Sequence, residues 1–456
     1  MKKLSILTVM VMQVAMTMAQ TNPAITAWLQ NTSGIKGRYY LTGNSTPNTS
    51  TTDVNVQQVR YSANYVYVNA TGIPAYVTGP FALGTITTAA NNSYVFKLPL
   101  SPTAATTHTA VGMGATAVFI DGTVAYRARD AASYNNQGQW HQNAVYFENI
   151  GFDCAHGHPG PMSSDYHQHQ NPSAFNISSV PTSSICNVYL ADGLYIPDSA
   201  VHSPLIGFAP DGFPIYGSYA YTDPNNSASA IKRMRTSYRI RNISSRTTLP
   251  DGTAATGPTL TQMITSMLPG SSPLQAVLGA YEEDFEYVAG YGDLDQYNGR
   301  ICKTPEYPGG IYCYFATIDS LSRPEYPYLI GDYYYGTVAQ SGPGASFTHA
   351  TVSEPVTTYT PLAITETDLG RIEVTIFPNP AKDLLVIQAY TSKPVDRKVE
   401  LCDMTGRLVQ TEVLRQGSTM CYFDTRTIYQ GSYIVRISDG INATSKLIEI
   451  RNNFIK

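Results

Sequence analysis

Residues 54–67, VNVQQVRYSANYVY, decide the fold class because apolar and polar side chains alternate along them. The apolar positions are Val54, Val56, Val59, Tyr61, Tyr65 and Tyr67. Such alternation is typical of strands with one buried face. Residues 94–98 and 117–120 continue the strand pattern, and an Asp-Gly turn follows the second of them. Segments with helical period are rare, and 260–268 and 273–279 are the best helix candidates, so the sequence predicts a mainly β protein.

The composition fits a folded protein of several domains with few surface charges. The chain has 456 residues, of which 43% are hydrophobic and 14% charged. This length allows roughly two to four domains, and the hydrophobic content argues against disorder. A net charge of −4 gives no basic field, so we expect no nucleic-acid partner. No interior stretch approaches the roughly 20 apolar residues of a spanning helix, so no transmembrane span is expected in the mature chain.

The amino terminus has the pattern of a secretory signal peptide over residues 1–19. Lys2 and Lys3 precede an apolar run at 4–18, and Ala19 offers a small residue for cleavage before Gln20. The alternative is a membrane anchor, but the run is short and contains polar residues. An exported protein is therefore expected.

Composition changes divide the rest of the chain. Residues 20–52 form a polar lead-in, with a Thr-, Ser-, Asn- and Pro-rich stretch at its end that favours a loop. A large β-rich domain is predicted over 53–340, followed by a linker at 341–371 that is rich in Gly, Ser, Thr and Pro. Short strands at regular spacing over 372–456 predict a small C-terminal β-sandwich.

Six cysteines in an exported chain permit disulfides, although their connectivity is not fixed by sequence. Neighbours along the chain suggest three pairs, and free buried thiols are the alternative. The suggested pairs are Cys154 with Cys186, Cys302 with Cys313, and Cys402 with Cys421.

Histidines are concentrated in one region, with six of the eight between His141 and His202. Two His-x-His pairs lie at its centre, at 156–158 and 167–169. Because residues i and i+2 of a strand share a face, His167 and His169 could bind one ion together. Neutral imidazole suits zinc, copper, nickel and iron. The alternatives are a hydrogen-bonded polar cluster and a proton-transfer pair without metal.

Three motifs near the C-terminus resemble the type IX secretion C-terminal sorting domain of Bacteroidetes. They are Phe377-Pro378-Asn379-Pro380-Ala381, Asp403-Met404-Thr405-Gly406-Arg407 and Gly431-Ser432-Tyr433-Ile434-Val435-Arg436-Ile437. The resemblance implies export by the type IX secretion machinery to the cell surface or the medium. It also implies removal of the tail, with release or attachment to lipopolysaccharide.

The region 53–340 resembles the YHYH-domain family of bacterial exported proteins. The named motif appears as Tyr166-His167-Gln168-His169, with Gln168 in place of the second tyrosine. Further matching motifs are Gly157-His158-Pro159 after Cys154, His202-Ser203-Pro204-Leu205-Ile206-Gly207, Pro210-Asp211-Gly212-Phe213-Pro214 and Tyr326-Pro327-Tyr328-Leu329. The family usually has a cysteine at Tyr297, and a relocated disulfide between Cys313 and Cys302 would explain this departure. The family implies a fold unit and no established activity.

These observations lead to a hypothesis of an exported protein that holds copper or zinc. The predicted ligands are His158, His167, His169 and His202. Supporting residues are expected at His141, His156 and Asp211, although Asp211 also fits an ordinary turn.

Two other classes stay open. One is an extracellular metal-dependent hydrolase or oxidase, with Asp211 or Glu286 as base. The other is an adhesin or glycan-binding module without metal, in which exposed tyrosines such as those in the run 333–335 contact sugars. The acidic run 282–286 is interpreted as a solvated loop or strand edge, with a calcium site or a general base as its functional alternatives.

Overall fold

A computed structural model describes residues 22–44, 46–81, 88–160, 164–173, 193–195, 197–268, 270–340, 346–361, 373–390, 396–403, 407–415, 420–438 and 443–451. The chain forms two compact units, residues 1–359 and 360–456. Strands dominate both units, which confirms the prediction of a mainly β protein. The predicted signal peptide lies outside the described residues.

The described residues of the first unit contain 23 strands, two short α-helices and three 3-10 helices. The strands are β1 (Lys36–Tyr39), β2 (Asn48–Asp53), β3 (Val56–Tyr61), β4 (Tyr65–Ala70), β5 (Val77–Thr78), β6 (Tyr94–Pro99), β7 (Ala115–Phe119), β8 (Val124–Tyr126), β9 (Arg129–Ser133), β10 (His141–Asn143), β11 (Gly157–Pro159), β12 (Tyr166–Gln168), β13 (Leu205–Phe208), β14 (Pro214–Tyr216), β15 (Tyr219–Tyr221), β16 (Ile231–Arg233), β17 (Tyr238–Ile240), β18 (Met263–Ile264), β19 (Leu274–Gln275), β20 (Phe285–Tyr287), β21 (Gly299–Cys302), β22 (Ile311–Phe315) and β23 (Thr357–Tyr359). The helices are α1 (Pro23–Thr26) and α2 (Ala144–Phe147), with 3-10 turns at Tyr134–Asn136, Asn149–Gly151 and Glu282–Asp284.

The stretch with alternating side chains forms the antiparallel pair β3 and β4, at the centre of a four-stranded sheet ordered β23-β3-β4-β6. In β3, Val56, Val59 and Tyr61 are buried, as the alternation predicts, and a register shift lies between Val56 and Gln58. Their side chains join one core with Val118 and Phe208 of the neighbouring sheet. The two sheets therefore pack face to face.

That neighbouring sheet has eight strands, in the order β11-β12-β8-β7-β13-β14-β22-β21. Alternate residues of its middle strands enter two different cores, for example Val118 in one and Phe119 in the other. Both faces of the middle strands are therefore covered, which explains why β13, β14 and most of β7 and β22 are buried throughout. The hairpin β11–β12 lies at one edge of this sheet.

Three local expectations differ from the structure. The lead-in 20–52 contains α1, β1 and part of β2, and its Ile25 and Trp28 are buried in the main core. Neither helix candidate is helical: 260–268 and 273–279 contain β18 and β19, which pair antiparallel. Pro-Gly at 269–270 interrupts a helix and favours a turn between them, and that explains the difference. Part of the predicted linker 341–371 is β23, which extends the first unit's sheet by pairing with β3.

The second unit contains seven strands in its described residues, at the positions that the sequence indicates. They are β24 (Glu373–Phe377), β25 (Leu384–Tyr390), β26 (Arg397–Asp403), β27 (Leu408–Leu414), β28 (Met420–Asp424), β29 (Gly431–Ser438) and β30 (Ala443–Ile450). They form two sheets, β24-β25-β28 and β27-β26-β29-β30, around one core. This arrangement is a small β-sandwich.

Two of the three suggested disulfides are not formed. Cys302 and Cys313 are buried free thiols on the paired strands β21 and β22. Cys402 and Cys421 are also free, and only Cys421 belongs to the core of the second unit. Cys402 lies on the opposite face of β26 from the buried Val399 and Leu401, so it points away from that core. Cys154 is buried and is not among the free thiols, while Cys186 lies outside the described residues, so their pairing stays a prediction.

Candidate metal centre

The antiparallel pairing of β11 with β12 brings the two His-x-His motifs together. His158 is the direct cross-strand partner of His167. Residues opposite each other in an antiparallel pair project to the same face of the sheet. The ring centroids of these two histidines are 4.6 Å apart. The register of β11 and β12 therefore brings His158 and His167 together.

His169 joins them because it follows His167 by two residues at the end of β12. Its ring centroid lies 4.9 Å from that of His167 and 5.8 Å from that of His158. One ligand atom from each of the three histidines lies within 4.8 Å of the others. All three residues are buried, between 3% and 6% exposed. The predicted sharing of one ion by His158, His167 and His169 is therefore geometrically possible.

A carboxylate that the sequence did not single out completes the cluster. Glu148, the residue directly after α2, places Oε2 3.2 Å from Nε2 of His158 and 3.2 Å from Nε2 of His169. These three atoms are buried, and none of them makes a hydrogen bond of good geometry. Lone pairs and a negative charge thus face one another across a small gap. That arrangement fits a cation better than a hydrogen-bonded cluster.

Backbone carbonyls set the tautomers of two of the rings. Nδ1 of His167 lies 2.9 Å from the carbonyl oxygen of Asp165, and Nδ1 of His169 lies 2.8 Å from that of Arg127. A carbonyl only accepts hydrogen bonds, so each neutral ring carries its proton on Nδ1. Each Nε2 then keeps a free lone pair. This is the support that ligating histidines usually receive from their surroundings.

The charges of the cluster suit metal ligation. Burial, aided by the neighbouring histidines, holds the pKa of His167 well below its usual range, so this ring is neutral at pH 7. Burial opposes ionisation of Glu148, but its contacts with His158 and His169 outweigh that effect and hold its pKa well below its usual range. Burial opposes protonation of His169, but the contact with Glu148 outweighs burial and raises the pKa of His169, so a proton on its Nε2 competes with a metal ion. Glu148 is therefore an anion beside imidazoles.

The turn before β11 is held by the buried Asp153. Its Oδ1 accepts hydrogen bonds from the backbone N–H groups of Ala155 and Gly157, and its Oδ2 accepts one from Gly79. The hydroxyl of Tyr166 donates to the same carboxyl group. The Tyr166 ring covers Gly157 so closely that a Cβ there would overlap it. This network fixes the backbone from which His158 projects.

Gln168, the departure from the YHYH motif, lies on the other face of β12 from His167 and His169. It is fully buried, and its Nε2 donates to the hydroxyl of Tyr76 at 2.5 Å. The histidine face is therefore unaffected by the change at this position.

His202, predicted as the fourth ligand, does not join the group. Its Nδ1 lies 2.7 Å from the carbonyl oxygen of Ser203, and its ring packs against Tyr216 and Tyr221. The short His202–Ser203 segment thus turns the ring towards a different part of the first unit. Glu148, and not His202, is the fourth side chain beside this histidine group, and it contacts His158 and His169.

The three predicted supporting residues also have other roles. His156, at a positive φ of 65°, has Nδ1 3.2 Å from the carbonyl oxygen of Asn171, and burial lowers its pKa to about 4. His141 pairs through Nδ1 with Glu283 at 2.7 Å. Asp211 accepts from the backbone N–H of Phe213 in a turn, which agrees with the turn interpretation. None of the three is part of the described cluster around His158.

Three carboxylates of the acidic run are buried, contrary to expectation, and only Glu286 is partly exposed. Glu282, Glu283 and Asp284 form a 3-10 turn, in which Glu282 contacts Arg127 and Arg129, Glu283 contacts His141, and Asp284 contacts Arg246. Asp284 forms two 2.7 Å hydrogen bonds with Arg246, and both side chains are fully buried. The cationic partners come from distant positions in the chain, so the local sequence gave no sign of them.

The fold and the cluster define an exported β-rich protein with a buried histidine–carboxylate centre. The family model described as YHYH protein matches residues 95–326, just over half of the chain. The chain therefore belongs to the YHYH family. A second model, described as a secretion system C-terminal sorting domain, matches residues 375–451 and coincides with the small sandwich.

The sorting domain indicates export through the type IX system to the cell surface or the extracellular space. A search of curated proteins finds no match to the chain. In the described part of the structure, no helix has the length and apolar character needed to span a membrane.

Proposed function

We propose that this protein is an exported metal-binding protein that holds one transition-metal ion through His158, His167, His169 and Glu148. The observation that carries the proposal is the convergence of buried atoms that make no hydrogen bond of good geometry: Nε2 of His158, Nε2 of His169 and Oε2 of Glu148. Leaving such atoms unpaired costs about 1–3 kcal/mol each, and more where a charge is involved. A bound cation would remove that cost.

The donor set favours zinc or divalent copper. Three imidazole nitrogens and one carboxylate oxygen are typical ligands of these ions. The described donors of the cluster include no thiolate sulfur, which monovalent copper would prefer. The negative charge of Glu148 would offset part of the charge of a divalent ion in a buried setting.

The closed geometry favours a structural or sequestering ion over a catalytic one. With Glu148 as a fourth donor beside the three histidines, a tetrahedral ion would have no position left for water, whereas catalytic zinc usually keeps one. The three histidines are at most 6% exposed. The hydrolase or oxidase alternative requires an open position at the base of a cleft, so it has less support.

The test is the metal content of the mature protein. We expect close to one equivalent of zinc or copper by elemental analysis, and calorimetric uptake of one equivalent after chelation. A variant with both His167→Ala and His169→Ala should contain no metal and take up none. The matched control replaces two of the histidines outside the cluster, His108→Ala and His349→Ala, and should keep its metal. Native protein that contains no metal and takes up none would refute the proposal.

We also propose that the tail is removed after export, as its resemblance implies, and that the passenger is either released or attached to lipopolysaccharide in a Bacteroidetes host. The support is the match of the sorting domain to the last part of the chain. Intact-mass measurement of exported protein would test it. A mass that still includes residues 375–451 would refute removal of the tail.

A further inference from the structure

A cavity of about 430 Å³ in the first unit lies beside the antiparallel pair β17 and β20. This volume falls in the range of about 300–1,000 Å³ that is usual for small-ligand sites. We call it the tyrosine cavity, because its lining includes Tyr238, Tyr287, Tyr326 and Tyr333. None of the histidines of the metal centre lines it.

One tyrosine of the run 333–335 differs from its neighbours. Tyr334 is buried, and Tyr335 stacks on Tyr312 with a centroid distance of 3.7 Å. Tyr333 is 49% exposed, and it lines the tyrosine cavity. Packing therefore explains the second and third tyrosines of the run and leaves the first one open to a ligand.

Buried ion pairs fix the polar wall of this cavity. Glu282 accepts hydrogen bonds from Arg127 and, at 2.5 Å, from Nε of Arg129. Glu283 accepts at 2.7 Å from the backbone N–H of His141 and lies 2.7 Å from Nδ1 of the same residue. These contacts offset most of the negative charge of Glu282 and Glu283. They also hold the side chains in place before a ligand binds.

Some hydrogen-bonding atoms of the wall remain available. Among the described residues, the two Nη groups of Arg129 and Nε2 of His141 make no hydrogen bond. Asp332, whose side chain is 46% exposed, uses one carboxylate oxygen for Arg127 and keeps the other. The wall thus offers donors and acceptors side by side, next to an exposed aromatic ring.

We propose that the tyrosine cavity binds a neutral saccharide unit. Each sugar hydroxyl both donates and accepts hydrogen bonds, which matches a wall of mixed donors and acceptors. The apolar face of a pyranose ring can pack on Tyr333. An anion would face the carboxylates of Glu282, Glu283 and Asp332. A cation would find Glu282, Glu283 and Asp332 already paired with Arg127, Arg129 and His141. This site is separate from the metal proposal and does not depend on it.

The test is calorimetric titration of the mature protein with glucose, galactose, mannose and N-acetylglucosamine, and with a β-linked tetrasaccharide of each. We expect at least one of these probes to bind. Tyr333→Ala should weaken that binding by about tenfold or more, the effect of losing about 1.4 kcal/mol of stacking energy. Arg129→Gln should weaken it too, since the Nη donors are lost.

Tyr291→Ala is the matched control, because Tyr291 is 53% exposed and lies outside the lining of the cavity. Its affinity should equal that of the native protein. Metal content should stay unchanged in all three variants, which separates this proposal from the metal proposal. No binding by any of the sugars, unchanged affinity in Tyr333→Ala, or binding of choline in place of the sugars would overturn the inference.

Discussion

Glu148 is the single residue on which the charge of the metal centre depends. Its carboxylate is the negative group in contact with Nε2 of both His158 and His169. We expect Glu148→Gln to keep the shape of the site and lower metal affinity by about 10- to 100-fold, as loss of a group that supports or completes a metal site typically does. Competition with a chelator of known affinity measures the change.

The control for this substitution is Glu286→Gln, at a partly exposed carboxylate paired with Arg239. Its metal affinity should match that of the native protein. Equal affinity in the two variants would show that Glu148 is not a ligand.

Asp153 gives the first unit a pH dependence. Burial raises the pKa of Asp153 to about 7, while an unfolded aspartate has a pKa of about 3.9. Between these values the folded protein holds a proton that the unfolded chain has released. The contribution of this group to stability is therefore complete below about pH 4 and decreases as the pH rises to 7.

We expect the free energy of unfolding of the native protein, relative to that of Asp153→Asn, to fall as the pH rises from about 4 to 7. The fall should be on the order of 4 kcal/mol. Urea unfolding at a series of pH values, with chelator present throughout, measures it. The exposed Asp198→Asn should show no such trend. Parallel pH profiles for native protein and Asp153→Asn would contradict the argument.

At the scale of elements, alternation predicted the strands well and the two-residue spacing put His167 and His169 on one face. The pairing of His158 with His167 depends on the register of β11 and β12, which two three-residue strands do not encode by themselves. Glu148 follows a helix of four residues, too short to show any period. The sequence therefore indicated the histidines and could not indicate the carboxylate.

The misjudged helices and acidic run have a common cause. A short segment takes its conformation from what it packs against, and those partners are distant in sequence. Asp284 shows this, because its partner Arg246 lies 38 residues earlier and also donates to the carbonyl groups of Pro258, Ala276 and Val277.

The 3-10 turn Glu282–Asp284 should therefore be sensitive to loss of one charge. We expect Asp284→Asn to lower the free energy of unfolding by about 3–5 kcal/mol, because it leaves the buried Arg246 guanidinium uncompensated. Asp319→Asn is the comparison, since its pair with Arg323 is far more exposed and should be worth at most about 1 kcal/mol. Denaturant unfolding that gives similar losses for both would show that burial does not set the energy of these pairs.

At the scale of the whole molecule, the sorting domain and the proposed metal site belong to separate units. The sorting domain coincides with the second unit, and all members of the histidine–carboxylate cluster lie in the first. Deletion of residues 375–451 should leave the protein in the periplasm, because the predicted signal peptide would direct it across the inner membrane only. Cell fractionation with immunoblotting measures this. Undiminished surface or extracellular protein after the deletion would contradict the assignment of the tail.

β11 is the last strand in the described order of the eight-stranded sheet, and an ion bound by His158 and His167 would hold it to its neighbour β12. The residues of β11 are buried, but a strand that detaches from its neighbour exposes backbone N–H and C=O groups that can pair with another chain and cause aggregation. A cation bound by both His158 and His167 would keep β11 paired with β12. Chelated protein should consequently form larger particles in light scattering, and returning the ion should restore monodispersity.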